Sequence, residues 1–212
     1  MYLPAHFEEK RIEVLHELIR AHPLAALVTL GPQGLDANHV PMALDPEPAP
    51  YGTLRFHLSR ANAQWRDFSP EAGALAIFSG PEHYITPLWY ESTREHGRAV
   101  PTWNFAVVHA HGRLKLFEGD ALRRHVQELT ERHEAGFEKP WHVSDAPAPF
   151  IDGMLKAIMG IEMPIERLEG KWKASQNRSD ADRAGVIVGL DQMDTPESIE
   201  MARLVEERLK QK

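Results

Sequence analysis

The stretch VPTWNFAVVHAHGRL, residues 100–114, decides the fold class of this chain. Its β-branched and aromatic residues predict a strand over Val100–Ala110, followed at once by a second strand over Gly112–Glu118. The wider window of residues 97–117 contains no Asp or Glu, although the chain has 31 of them. Two more windows lack carboxylates: residues 53–66, TLRFHLSRANAQWR, and residues 170–179, GKWKASQNRS.

The three carboxylate-free windows share one kind of chemistry. Together they hold nine of the 24 Lys and Arg residues. These cations stand beside Ser, Thr, Asn and Gln, with Trp65, Trp103 and Trp172 between them. Cations and amides hold phosphate groups, while rings and amides hold a flat heterocycle. The windows therefore indicate a phosphorylated aromatic ligand.

Strand patterns continue on both sides of the central stretch. An apolar run over residues 24–30, the turn Gly31–Gly34 and a second run over residues 35–44 predict a hairpin. Further strands are predicted at residues 53–58, 74–79 and 161–174, and helices at residues 8–21, 63–68, 120–136, 151–158 and 197–210. Asp120 is expected to cap the third of these helices. The fold class is therefore α+β or mainly β: one β-rich domain over residues 1–190, decorated by helices, with a surface helix in residues 191–212.

Composition limits the classes of function. The net charge of −7 and the pI near 5.9 disfavour generic nucleic-acid binding, which needs a dense basic face. The absence of cysteine excludes disulfides, thiolate nucleophiles and Cys-ligated metals. The amino terminus does not resemble a signal peptide, and no apolar run reaches membrane-spanning length. We therefore expect a cytoplasmic protein.

Each window also has a purely structural interpretation. Ser59-Arg60-Ala61-Asn62 is either a helix cap with an exposed arginine or a phosphate site at the start of a helix. Trp103 and Asn104 are either a core aromatic residue beside a strand-end amide or ligand contacts. The third window is either a basic edge strand or a binding segment, and six polar donors favour binding: Lys171, Lys173, Ser175, Gln176, Asn177 and Arg178.

Several familiar sites are absent from the sequence. It contains no GxGxxG, GxxxxGK[ST] or GxSxG motif, which argues against dinucleotide folds, P-loops and serine hydrolases. The 12 histidines include no HExxH motif and have no neighbouring carboxylate cluster, so no metal site is predicted. An alternative from another class is a haem-binding or haem-degrading protein, in which the iron is ligated by one of four histidines: His39, His57, His109 or His111.

At the level of long motifs the chain resembles the PaiB family of bacterial proteins. The segments that carry the resemblance are MYLPAHF, HLSRANAQW, IFSGPEHYITPLWY, VPTWNFAVVHAHGRL and GIEMPIERLEGKWKASQNR, and it extends from Met1 to about Leu190. Members are classed with the FMN-binding split barrels and are often labelled negative transcriptional regulators. The resemblance implies a six-stranded split β-barrel of the pyridoxine phosphate oxidase type, and a homodimer with two flavin sites along its interface.

The resemblance also implies where FMN would bind. The corner after His57 would meet the phosphate, and Trp103 with Asn104 would line the ring or ribityl site. The GKWKASQNR segment would complete a site. The cofactor-binding residues expected on these grounds are His57, Ser59, Arg60, Asn62, Trp65, Trp103, Asn104, Lys171, Lys173, Ser175, Gln176, Asn177 and Arg178. Two positions depart from the expected pattern: Phe105, where Tyr is expected, and His57, where the oxidases have Thr or Ser.

The expected activity is that of a flavoprotein. No clear general acid or base accompanies the proposed flavin, so any redox chemistry would lie in the flavin itself. A direct DNA-binding repressor is the second alternative, and it should present a helix with a clean cationic face. The helices at residues 8–21, 120–136 and 197–210 each mix Lys or Arg with several Glu. We therefore expect any effect on transcription to be indirect.

Overall fold

The computed structural model describes residues 1–210 and contains an antiparallel sheet and helices. The strands are β1 Glu8–Glu9, β2 Leu24–Gly31, β3 Gly34–Pro41, β4 Ala43–Asp45, β5 Thr53–Ser59, β6 Ala74–Ile85, β7 Thr102–Gly112, β8 Lys115–Phe117 and β9 Ile158–Lys173. The helices are α1 Ile12–Ala21, α2 Gln64–Asp67, α3 Glu91–His96, α4 Gly119–Glu134, α5 Ala148–Lys156, α6 Asp180–Met193 and α7 Pro196–Lys210. The fold class predicted from the sequence is thus confirmed.

The strand order is β3-β2-β6-β7-β9-β5-β4, and β1 and β8 also pair with β9. The predicted hairpin is present, because β2 and β3 pair in register from Leu24 opposite Pro41 to Gly31 opposite Gly34. Gly34 has a φ of 108°, a conformation that favours glycine, and this allows the tight turn. Strand β9 is the organising strand, since β1, β5 and β8 all pair with it.

The chain forms two compact units. The first unit consists of Met1–Ala21, Ser79–His109 and the residues from Glu169 onward, and the second unit consists of His22–Phe78 and Ala110–Leu168. Strands β6, β7 and β9 each contribute residues to both units. The division of the chain into residues 1–190 and 191–212 remains a prediction. Among the helices of residues 1–210, none combines the length and the apolar character needed to cross a bilayer.

The second unit is built on the pairing of β5 with the first part of β9. Alternate residues of the two strands are fully buried, among them Phe56, Ile161 and Met163. Gln64 is also buried, and its amide donates to Leu27 O at 3.2 Å and to Thr29 Oγ1 at 3.1 Å. This side chain ties α2 to β2 and satisfies its own polar atoms.

A pair of histidines links α4 to β5 in the second unit. His57 Nδ1 lies 3.3 Å from His125 Nε2, and Phe117 packs edge-on against the His125 ring. Burial lowers the pKa of His57, and burial together with His57, Arg55 and Arg132 lowers the pKa of His125 to about 4. Both imidazoles are therefore neutral at pH 7.

The first unit contains α1, α3, α6 and α7. In this unit α6 packs closely on the turn before α3, because Gly185 and Gly189 leave room for the backbone and ring of Trp89. Asp182 is buried and accepts hydrogen bonds from the backbone and hydroxyl of Ser92, at 2.8 and 2.9 Å. These contacts join α3 to the start of α6.

Two sequence predictions of local structure are wrong, and one helix was not predicted. The helix expected from residue 8 begins at Ile12, because Glu8 and Glu9 pair as β1 with Lys171 and Gly170. Asp120 does not cap α4, since it lies inside the first turn and the cap residue is Glu118. Helix α6 was not predicted, because its apolar residues follow no clear helical stripe and include two glycines.

The packing of α6 against Trp89 gives a first prediction. Gly189→Ala should destabilise the protein by about 1–3 kcal/mol, because the new methyl group would overlap the Trp89 ring. Gly153→Ala in α5 is the matched control: the space beside Gly153 is open, so alanine should stabilise the helix by up to about 1 kcal/mol. Urea unfolding followed by circular dichroism measures both changes. Equal effects of the two substitutions would contradict the packing of α6.

The histidine pair gives a second prediction. The native pKa values lie below the ordinary value of 6.5, so the unfolded chain takes up protons that the native protein does not. Stability should be complete above pH 6.5 and should fall between pH 6.5 and about 4. The loss for His125 is roughly 3 kcal/mol. His125→Gln should flatten this part of the stability curve, and His133→Gln, on an exposed part of α4, should not. A mutant curve as steep as the wild-type curve would show that the pair is not responsible.

Candidate functional site

Three cations gather at the end of β9 in the first unit: Lys171, Lys173 and Arg178, hereafter the cation group. Lys173 Nζ donates to Thr102 Oγ1 and to the carbonyl oxygen of Trp103. Lys171 Nζ donates to the carbonyl oxygen of Tyr2 at 3.1 Å and lies 5.3 Å from the centre of the Phe105 ring. Both lysines are therefore held by β7 or by the start of the chain.

The turn that follows β9 is held by its own side chains. Gln176 Oε1 accepts from the Ala174 amide at 2.7 Å, and Gln176 Nε2 donates to Trp172 O at 2.5 Å. Ser175 has a φ of 62°, which is uncommon for a residue other than glycine, and Asn104 Nδ2 donates to its hydroxyl at 2.9 Å. The predicted residues Asn104, Ser175 and Gln176 thus fix the turn, while Asn177 is exposed.

Arg178 and Tyr90 form the buried side of the cation group. The guanidinium carbon of Arg178 lies 4.5 Å from the centre of the Tyr90 ring. Burial raises the pKa of Tyr90, and Arg178 and Ser175 approach its hydroxyl without aligning for a hydrogen bond. Within residues 1–210 this buried hydroxyl has no hydrogen-bond partner. Such an atom normally meets a ligand or a water molecule.

The charge of the cation group is not neutralised by the protein. Among residues 1–210, no carboxylate forms an ion pair with Lys171, Lys173 or Arg178. Burial lowers the pKa of Lys173, and repulsion by Lys171 and Arg178 lowers it further. An anion would relieve this repulsion. The donors present are three cations, the Tyr90 hydroxyl and the Ser175 hydroxyl, and this set suits a phosphate group.

An aromatic surface adjoins the cation group on β7. Trp103 is 53% exposed, so it is not a core residue, and Tyr84 packs edge-on against it with ring centroids 6.1 Å apart. The main-chain carbonyl of Trp103 accepts from Lys173 Nζ, so Trp103 adjoins the cation group through its backbone. An exposed ring beside cations can stack on a flat heterocycle.

The predicted phosphate corner Ser59–Asn62 lies in the second unit, and its polar groups are occupied. Ser59 Oγ accepts from the Ala61 amide at 3.2 Å, and Asn62 Oδ1 accepts from the Gln64 amide at 2.9 Å. Arg60 is ion-paired with Glu118, and its carbonyl accepts from Trp65 Nε1 at 3.1 Å. The corner therefore offers fewer free donors to an anion than the sequence suggests. The carboxylate that neutralises Arg60 belongs to Glu118, which lies just outside the three carboxylate-free windows.

The four histidines considered for haem have different surroundings. His57 Nδ1 is engaged by His125, and His39 is exposed on β3. His109 belongs to the first unit and His111 to the second, and both have interactions within the protein. The sequence analysis singled out Phe105 as a departure from the family pattern, but it missed Tyr90 and Thr102 as neighbours of the cation group. The position of Thr102 beside Trp103 is the one signal that could have indicated it.

Comparison with known proteins identifies the family to which the chain belongs. Residues 1–167 match a family model described as "Putative FMN-binding domain". The chain is 34% identical to uncharacterized protein AN0679 of Emericella nidulans, over 98% of this chain and 97% of that protein. It is 30% identical to the protease synthase and sporulation protein PAI 2 of Bacillus subtilis, over 99% of each chain.

A solved structure shows the same fold. The FAD and heme binding protein from Mycobacterium smegmatis superposes with a TM-score of 0.57 at 16% identity, over 84% of this chain and 78% of that one. This likeness identifies the fold as the split-barrel type found among flavin-binding and haem-binding proteins. Since the family model covers more than three quarters of the residues and PAI 2 aligns over almost the whole length, the chain belongs to the FMN-binding domain family of PaiB-like proteins.

Proposed function

We propose that this protein binds FMN noncovalently, with the flavin phosphate on the cation group of the first unit and the ring system against Trp103. The observation that carries the proposal is the group of three cations without a carboxylate partner in the described chain, next to a buried hydroxyl that lacks a hydrogen bond. The family supports a flavin as the ligand. Lys171 and Arg178 repel Lys173 electrostatically, and a bound phosphate would relieve this repulsion. The phosphate would therefore be the part of FMN that contributes most to binding.

The residues around the cation group would have different roles in binding FMN. Lys171, Lys173 and Arg178 would neutralise the phosphate. The Tyr90 and Ser175 hydroxyls would donate to its oxygens, since burial keeps the Tyr90 phenol protonated and Asn104 already donates to Ser175. Bound flavin would supply electron or hydride transfer. Asp182, the carboxylate that acts on Tyr90, accepts hydrogen bonds from the Ser92 amide and hydroxyl, so the residues of the cation group would bind and orient the flavin.

The Ser59–Asn62 corner remains the competing position for the phosphate. Its arginine is already paired with Glu118, and Ser59 Oγ and Asn62 Oδ1 already accept from the amides of Ala61 and Gln64. An anion there would have to displace these contacts. We therefore place the phosphate on the cation group, and give the corner residues His57, Ser59, Arg60, Asn62 and Trp65 a structural role.

A titration with FMN and with riboflavin tests this placement. Removal of a charged hydrogen bond to phosphate costs about 1.5–3 kcal/mol, so Lys173→Met and Arg178→Met should each weaken FMN binding by roughly 10- to 100-fold. Riboflavin, which has no phosphate, should be affected much less. Arg60→Ala and the exposed control Lys115→Met should leave FMN affinity unchanged. Quenching of flavin fluorescence gives the dissociation constants.

Three outcomes would contradict the proposal. Loss of FMN binding in Arg60→Ala but not in Lys173→Met would move the phosphate to the corner. An absence of saturable quenching by the wild-type protein would remove the flavin. A Soret band that appears on addition of haem and disappears in a histidine variant would favour haem, which the structural relative from Mycobacterium smegmatis binds together with FAD.

We further infer that any effect of this protein on gene expression is indirect. The relative PAI 2 is named for protease synthesis and sporulation. In α7 of the present chain, Arg208 is paired with Glu9 and Lys210 with Glu206, so these cations are not free to meet phosphates of DNA. In α4, Arg123 is paired with Asp152. These helices therefore present no continuous cationic face within the described residues.

Fluorescence anisotropy against the gene's own upstream region tests this inference. At physiological salt the purified protein, with and without FMN, should bind the labelled duplex no more tightly than an unrelated duplex of equal length. Tight binding that resists competitor DNA would establish direct regulation. The homodimer implied by the resemblance and the cytoplasmic location expected from the sequence remain predictions, and sedimentation velocity would test the dimer.

A further inference from the structure

The carboxy-terminal helix α7 reaches the strand that carries the cation group. Near the end of this helix Arg208 is almost buried, and its Nη1 lies 2.6 Å from Glu9 Oε2 on β1. Its guanidinium carbon also lies 5.4 Å from the centre of the Trp172 ring on β9. One side chain of α7 thus contacts both strands of the β1–β9 pair. Lys171, Lys173, Arg178 and α7 all lie beyond residues 1–167, the part of the chain that the family model matches.

Glu9 makes the contact between α7 and β1 a strong one. The carboxylate is buried, and burial alone would raise its pKa, but hydrogen bonds from Arg11 and Arg208 outweigh burial and hold the pKa at about 2. Arg11 binds both carboxylate oxygens, at 3.0 Å through Nε and 2.7 Å through Nη2. Glu9 is therefore ionised at any ordinary pH and always available to Arg208.

The position of Trp172 makes this contact relevant to the cation group. Side chains alternate along a strand, so Trp172 projects from the face of β9 opposite to Lys171 and Lys173. Its ring is 4% exposed and stacks on Arg208, while β1 pairs with the same stretch through Glu8 opposite Lys171 and Glu9 opposite Gly170. The end of β9 is thus fixed from its edge by β1 and from its buried face by Arg208.

Gly170 shows how closely this stretch is packed. A Cβ at this position would collide with Leu15 of α1 and would press on Trp172 and on the Glu9 carbonyl. The backbone between Gly170 and Lys173 consequently has little room to shift while its neighbours stay in place. Displacement of Arg208 would remove the stacking partner of Trp172 and one of the two arginines on Glu9.

We infer that Arg208 is a positioning residue for phosphate recognition, which acts through Glu9 and Trp172 to hold the ammonium groups of Lys171 and Lys173 in place. This inference rests on the proposed function. It extends the residues that determine phosphate binding to helix α7, which acts through Glu9 and Trp172. Because Arg208 affects only the positions of the cations, its loss should weaken the binding of phosphorylated ligands and leave the binding of the flavin ring unchanged.

The variants that test this role differ in which contact they remove. Arg208→Met removes the bond to Glu9 and keeps a long apolar side chain against Trp172. Arg208→Lys keeps the charge for Glu9 and loses the planar stacking. Glu9→Gln keeps the shape of the carboxylate and removes its charge. Arg203→Met, at an exposed position of the same helix, is the matched control.

Binding of FMN, riboflavin and inorganic phosphate is measured for each variant, with phosphate detected by competition against FMN. Arg208→Met should weaken FMN and phosphate about five- to tenfold and leave riboflavin within twofold of wild type. Arg208→Lys should recover part of this loss, Glu9→Gln should show a smaller loss of the same kind, and Arg203→Met should show none. Thermal unfolding of each variant establishes that the protein is folded.

Two results would overturn the inference, and they differ from a failure of the proposed function. Equal losses for FMN and riboflavin in Arg208→Met, or wild-type FMN affinity in both Arg208→Met and Glu9→Gln, would show that α7 does not position the cations. If Arg208→Met does not fold, Arg208→Lys and Glu9→Gln decide the question by the same ratio of FMN to riboflavin affinity. Wild-type FMN affinity in Lys173→Met would instead overturn the phosphate site itself, and the positioning role with it.

Discussion

Like charges repel one another more strongly when they are partly withdrawn from water. Three cations in the first unit are in this situation. Lys171, Lys173 and Arg178 stand at one strand end, and the described chain supplies no carboxylate to them. Amino groups in this situation lose protons more easily or attract an anion. The protein holds them in place by neutral contacts: a threonine hydroxyl, main-chain carbonyl groups and aromatic rings. These contacts keep the charges together without cancelling them.

Three arginines elsewhere in the described chain show the opposite arrangement, in which a carboxylate is the partner. Arg60 is paired with Glu118, and Arg55 is paired with Asp45 at 2.7 Å. Arg208 meets the buried carboxylate of Glu9. In each case a carboxylate neutralises the arginine and the contact joins two elements. A cation that serves the fold is paired in these examples, and the unpaired group is the one that suits a ligand.

The sequence contained enough information for the sheet but not for the partners of its charged residues. The β2–β3 hairpin, β5, β7 and α7 were predictable because apolar periodicity and turn residues are local signals. The short strand β1 was not, since Glu8 and Glu9 continue the helical pattern of α1 and are strands only because Lys171 and Gly170 pair with them. Long-range pairing overrode local propensity there.

The same limit applied to the candidate site. Lys171, Lys173 and Arg178 stood out in a window without carboxylates, and the structure brings them together. Arg60 stood out for the same reason, yet Glu118 lies 58 residues further along the chain and still meets it. The role of Tyr90 was invisible, because nothing in its neighbourhood of the sequence indicates a buried hydroxyl without a partner.

The division of the chain between the two units has a consequence for the order in which the protein is made. The second unit is complete in sequence once Leu168 is added, whereas the first unit also needs the residues from Glu169 onward. Strand β1 emerges among the first residues but has to wait for Gly170 and Lys171, its partners on β9. During synthesis the second unit can therefore form while the first unit is still incomplete. A chain cut before Glu169 keeps every segment of the second unit and lacks the end of β9 that carries the cation group.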